Sequence, residues 1–191
     1  MMPAAAEARA ALASRLGKRG YAHSVAVAQT AARLADAYGV DAREAYLAGL
    51  LHDWSRDEDG ATLCAEAVRL GIDATPVDEA VPYLLHARTG AAALRERFPG
   101  LPERILESVE RHTFGGPDMT DLDRVVYLAD ALEPARDTPA VDELREQVGR
   151  ASLDELYARA YAAALEHLIR RRRRIHPATV DAWNSIVGES G

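Results

Sequence analysis

The chain has 191 residues, enough for one domain with a sizeable core and too few to expect two. Hydrophobic residues make up 48% of it but aromatics only 6%, which favours helices packed closely through alanine and leucine. A formal charge of −7 excludes the global basic field of a non-specific nucleic-acid binder, and the lone Cys64 excludes an internal disulfide and fits a reducing compartment.

The first periodic segment, residues 4–17, is predicted to be a helix that stops near Gly17 and Gly20. Its alanines are interrupted by Glu7 and Arg9, so it lacks the apolar stretch of a secretion signal. No apolar run approaches the roughly 20 residues of a membrane span, and a soluble, cytoplasmic protein is expected. A second helix runs from about Tyr21 to Tyr38, with Gly39 as its C-terminal stop. On it His23, Val27, Thr30 and Leu34 share one face. Asp41 can cap a third helix, which ends at the pair His52-Asp53. Asp57 to Gly60 begin a short helix through Leu70, stopped by Gly71. After a loop around Pro76, residues 83–97 read as helical, with His86 near their start.

Pro102 opens the next helix at a favourable first-turn position, and there Ile105, Val109 and His112 lie on one stripe. The segment from His112 to Pro117 cannot continue it. Thr120 or Asp121 restarts a helix that presents Val126 and Asp130 one turn apart and ends at Glu133-Pro134. A long helix follows Ser152, where Ser152 to Glu155 resembles a capping box, and it runs into Arg170 to Arg174. His176-Pro177 starts a last amphipathic helix through Ile186. No alternating strand pattern of useful length appears. The fold class is therefore all-α, a single domain over residues 1–191. Its core spans about residues 20–136, and C-terminal helices at 140–188 pack on it.

Four histidines and two aspartates recur along these helices: His23, His52, Asp53, His86, His112 and Asp130. No local element brings them together, so only a fold could. A histidine on an apolar face is more often a hydrogen-bonded core residue than a ligand, and an aspartate near a helix end is usually a cap. Together, however, they place imidazole and carboxylate at helix ends on inward stripes, where burial is costly unless something compensates the charge. Imidazole with carboxylate suits iron, manganese, zinc or magnesium, and the absence of thiolates argues against a structural zinc finger. Six ligands exceed what one open site takes and suit two ions sharing a bridging carboxylate.

The series His23, His52-Asp53 and Asp130 resembles the HD-domain superfamily of metal-dependent phosphohydrolases, a helical bundle. His86 and His112 are similar to the extra ligands of its two-metal branch. Several further segments resemble the YqeK-type symmetrical diadenosine tetraphosphate (Ap4A) hydrolases of bacteria. They are Leu84-Leu85-His86, His112-Thr113 followed by Met119, Tyr127 to Arg136, and Ile175 to Thr179 with Ala182 and Asn184. The likeness covers roughly residues 15–185.

That resemblance implies one ion held by His23, His52, Asp53 and Asp130 and a second held by His86 and His112, with Asp53 bridging. Iron is the implied metal, with manganese or another divalent ion able to substitute. The implied reaction is attack of metal-bound hydroxide on an inner phosphate, giving two ADP, with Asp53, Arg56 and Arg136 at the reacting centre. Arg56 is also readable as a solvated arginine of the charged run 56–59, and Arg136 as a partner of Glu133. A homodimer is compatible with the alanine-rich surface. The family's arginine three residues before its first histidine falls here on Gly20, with Arg19 one step earlier. Two other readings stand beside this one: an HD hydrolase of other nucleotides, and a nucleotide-sensing protein with little turnover. Trp54 is read either as a base-stacking wall or as core. His176 is read as a helix-start cap or a cross-helix bond, His167 as exposed, and the Arg170 to Arg174 run as a solvated helix end rather than a nucleic-acid stripe.

Overall fold

In a computed structural model, residues 3–188 of the chain are described. The helices are α1 (Ala5–Ala13), α2 (Lys18–Tyr38), α3 (Ala42–Leu51), α4 (Gly60–Arg69), α5 (Pro76–Ala80), α6 (His86–Arg97), α7 (Glu103–Arg111), α8 (Asp121–Leu132), α9 (Pro139–Gln147), α10 (Leu153–Arg170) and α11 (Pro177–Gly188), with a 3-10 turn at Pro82–Leu85. No strand occurs among the described residues, so the all-α expectation holds. No helix there is long and apolar enough to cross a membrane.

The caps follow from short polar side chains satisfying free backbone N–H groups. Asp41 accepts from Arg43 and Glu44 to start α3, and Asp59 accepts from Thr62 to start α4. Thr120, not Asp121, caps α8, in a reciprocal box with Asp123. Ser152 accepts from the Glu155 N–H to start α10.

Several boundaries differ from the expected ones. The first helix ends at Ala13 rather than Gly17, and α2 begins at Lys18, so Gly20 lies inside it. The early start has a cause outside the helix: the Asp57 carboxylate accepts the Gly17 N–H at 2.7 Å. The predicted loop around Pro76 is helix α5, where proline occupies the first turn and Thr75 and Asp78 form a capping box. The segment expected to be helical from 83 opens as the 3-10 turn and becomes α-helical at His86. Helix α9, capped by Thr138, was not separated from its surroundings by periodicity, and α10 ends at Arg170, leaving Arg171 to Arg174 beyond it.

The centre of the molecule is α2 packed on α3 and α8, with α7 laid against α3 and α8 and α6 against α7. Leu34, Leu47, Leu51, Ile105, Val109, Val126 and Leu128 meet there, all essentially buried. Gly49 sets the approach of α2 to α3. A Cβ on it would lie 3.1 Å from both the Ala28 Cα and the Ala31 Cβ, and 3.2 Å from the Val27 carbonyl. Backbone on one side and a core alanine on the other cannot yield cheaply. Gly49→Ala is therefore expected to destabilise the fold by about 1–3 kcal/mol through overpacking, read by urea denaturation. An unchanged midpoint would show that the two helices have slack.

Candidate metal centre

His52, His86 and His112 are placed by one repeated local device. Each follows the last turn of a helix or 3-10 turn, where carbonyls lack intrahelical partners. His52 Nδ1 donates to the Gly49 carbonyl at 2.8 Å, His86 Nδ1 to Tyr83 at 2.7 Å, and His112 Nδ1 to Val109 at 2.6 Å. Each bond fixes the tautomer and turns Nε2 inward; the Tyr83 carbonyl also accepts the backbone N–H of His86. His23 lies in the second turn of α2, well before the helix ends, so that device is closed to it. Its Nδ1 instead faces Glu133 Oε1 at 3.4 Å. Glu133 is buried just after α8, and its other oxygen accepts the Ala135 N–H at 2.8 Å.

The four Nε2 atoms converge on Asp53. Its Oδ2 is 3.2 Å from His52 and 3.5 Å from His23, while its Oδ1 is 3.3 Å from His86 and 3.7 Å from His112. Asp130 Oδ1 completes one side at 3.2 Å from His23, and His86 and His112 Nε2 stand 3.2 Å apart on the other. His23, His52 and Asp130 each offer an atom within 4.8 Å of one another, as do His52, Asp53 and His112. All six sequence-predicted residues thus surround one centre.

The electrostatics are those of a place prepared for cations. Burial alone would raise the Asp53 carboxyl, but the His52, His86 and His112 rings beside it drive it far below the carboxylate range. Asp130 is held low in the same way: burial opposes ionisation, while His23 and His52 outweigh it. Burial opposes charge on His52, yet Asp53 prevails and raises it. His112, buried and crowded by His52 and His86, is pushed down to about 3.

Donor atoms that share one ion at about 2.1 Å sit about 3 Å apart, which is the spacing seen on both sides of Asp53. The buried Nε2 atoms of His23 and His52 have no hydrogen-bond partner. Such atoms are costly to desolvate without one. A divalent cation therefore fits this donor set.

A groove of about 820 Å³ leads to His23 and is bordered by Lys18, Arg19, Arg56 and Arg136. Arg56 donates to Asp53 Oδ2. Arg136 donates to Asp130 Oδ1 at 2.8 Å, nearer than the 3.9 Å to Glu133, so its main partner is Asp130 and not Glu133. Arg19 reaches the groove wall despite its one-residue offset, because α2 already begins at Lys18. Trp54 does not line this groove; it is buried edge-on to Phe98 with Arg15 over its face, an ordinary core residue.

Sequence reasoning missed Glu133 and Tyr83. Glu133 was read only as a helix terminator and a possible partner for Arg136, since nothing local marks a carboxylate for burial. Tyr83 is 43% exposed and stacked on the His86 ring at 4.6 Å, a neighbour visible only once the 3-10 turn is known.

The HD domain family matches residues 20–135. The chain therefore belongs to the HD-domain family. Over nearly its whole length it is also similar to proteins named symmetrical bis(5'-nucleosyl)-tetraphosphatase. The Bacillus subtilis protein is 30% identical over 96% of this chain and 98% of the relative. The Staphylococcus aureus protein is 29% identical over 89% and 88%. In structure the chain resembles a predicted HD superfamily hydrolase involved in NAD metabolism from Clostridium acetobutylicum, with a TM-score of 0.90 and 29% identity across 99% of this chain and 100% of that one.

Glu133→Gln keeps the volume but weakens the acceptor for His23. Metal affinity is expected to fall by about 10–100-fold with the helical circular dichroism unchanged. Equal affinity in a metal titration would remove Glu133 from the design of the site.

Proposed function

We propose that this chain hydrolyses diadenosine tetraphosphate at its symmetrical position to give two ADP, using two divalent ions, preferably iron. His23, His52, Asp53 and Asp130 would hold one ion; His86 and His112, with Asp53 shared, would hold the other. The observation that carries this reading is the placement of Asp53, whose two oxygens each face a different set of imidazoles. The similarity to relatives named symmetrical bis(5'-nucleosyl)-tetraphosphatase supplies the substrate.

Two such ions, when bound, supply an activated water and compensation for phosphoryl charge. The residues of the chain do the rest. The Nδ1 bonds of the four histidines hold their Nε2 atoms in place before any ligand arrives, which reduces reorganisation. Arg56 and Arg136 stand beside the two aspartates, from where guanidinium groups can donate paired hydrogen bonds to phosphate oxygens. Cutting a tetraphosphate at its middle requires the whole chain of phosphates to be held in register. Lys18 and Arg19 extend the basic border along the groove and are suited to the phosphates farther from the reacting one.

Product chromatography tests the substrate. Ap4A should yield ADP alone, and AMP with ATP would overturn the proposal. Tight binding of Ap4A without turnover at full metal loading would instead favour a sensing protein. His52→Ala should lose both metal and turnover while keeping its helical content; turnover by metal-free variant protein would contradict the assignment. Arg136→Ala should lower kcat/KM for Ap4A by about tenfold or more, the effect of losing one charge-assisted contact. Steady-state kinetics of the metal-loaded variant would measure it.

A further inference from the structure

His176 makes no contact with the metal centre, yet it is buried at the start of α11 and fully engaged. Its Nδ1 accepts the Ala178 N–H at 3.1 Å, so the ring proton belongs on Nε2. That atom faces Asp78 Oδ2 at 3.1 Å and Thr75 Oγ1 at 3.2 Å. Asp78 is wholly buried and also accepts from the Thr75 N–H at 2.8 Å and from Arg88 at 2.7 Å. The Phe114 ring lies flat on the His176 ring, 4.0 Å away at 13°.

These contacts reach both segments that carry the second pair of histidines. Asp78 belongs to α5, which runs directly into the 3-10 turn whose Tyr83 carbonyl orients His86, and Arg88 is in the first turn of α6. Phe114 comes two residues after His112, and its carbonyl accepts from Tyr161 at 2.5 Å. Immediately after Phe114, Gly115 turns the chain at φ +71°, so close to α10 that a Cβ there would lie 2.7 Å from the Tyr157 hydroxyl. The Tyr161 bond and the His176 stack are thus what tie the Phe114 segment to α10 and to the start of α11.

We propose that the His176–Asp78 pair is a positioning device that holds the His86 and His112 segments at the separation at which their Nε2 atoms share one cation. This rests on the two-ion reading above. His176 acts from α11, across the fold from the sequence that supplies either ligand. It needs no charge change to do so, since one N–H, one acceptor and one ring face are all in use. The device bears on one half of the site: His23, His52 and Asp130 are oriented by Glu133, the Gly49 carbonyl and Arg136, none of which touches it.

Titration of the full-length apoprotein with Mn²⁺, followed by electron paramagnetic resonance, tests this without reference to turnover. Wild-type protein should take up two equivalents and show a spin-coupled pair. His176→Ala should retain the first equivalent with unchanged affinity and bind the second about tenfold or more weakly, leaving a mononuclear signal. Leu144→Ala, a core truncation in α9 outside the device, should lower stability yet keep both equivalents. Where His176→Ala does not fold, His176→Gln carries the test, because it keeps an N–H for Asp78 and loses the ring; second-site affinity should fall several-fold. Unchanged second-site binding in these His176 variants, equal weakening of both sites, or the same selective loss in Leu144→Ala would each overturn the proposal. Wild-type protein that never binds a second equivalent would instead sink the two-ion reading on which it rests.

Discussion

A single carboxylate, Asp53, lies 1% exposed among four imidazole nitrogens contributed by α2, the start of α6 and the residues that follow α3 and α7. An ionised aspartate in such a place is tolerable only with compensating charge and hydrogen bonds on both of its oxygens. The fold is arranged to provide them. Gly49 lets α3 approach α2 closely enough for His52-Asp53 to face His23, and the carbonyl of the same glycine orients His52. Asp130 arrives from α8, which packs on α2. Arg56 closes the remaining side of Asp53 from the turn that follows it.

Two of the histidines, His52 and His112, exploit a weakness common to all helices, the free carbonyls of the last turn, and His86 uses the carbonyl of a 3-10 turn in the same way. Placing a histidine there aims its outer ring nitrogen along a predictable direction. His23 is the exception and needs Glu133, a second buried carboxylate. The resulting chain of carboxylate, imidazole and open nitrogen matches the way metal-bound histidines are generally supported. Lys18, Arg19, Arg56 and Arg136 then gather along one groove beside Asp57 and Glu133, a local grouping of bases in an acidic protein that charge totals alone would not disclose.

The helices were legible in the sequence because each rests on short-range rules, whereas the six converging residues were legible only as a joint pattern and through the resemblance to a known family. Stripes such as Ile105, Val109 and His112 follow helical periodicity, and caps such as Asp41 and Thr120 announce themselves. Errors fell where a distant partner decides a local outcome. Asp57 draws the start of α2 back to Lys18, which put Gly20 inside a helix and brought Arg19 to the groove. The Pro76 segment is different: Thr75, Pro76 and Asp78 are a local start signal, but the helix they open has only five residues, too few to show an apolar stripe. Trp54 was undecidable from its neighbours, since Phe98 and Arg15 reach it only in three dimensions.

The candidate ligands are drawn from residues 23 to 130, with no two from the same helix turn except His52 and Asp53. An unfolded chain therefore offers almost no preformed site, and a cation held at this centre binds the folded form alone. Such a ligand adds RT ln(1 + [L]/Kd) to the free energy of unfolding, about 2.7 kcal/mol when it is present at 100 times its dissociation constant. The supply of the ion thereby bears on the fraction of the chain that is folded, and removing it would raise the population of open forms that a protease can cut.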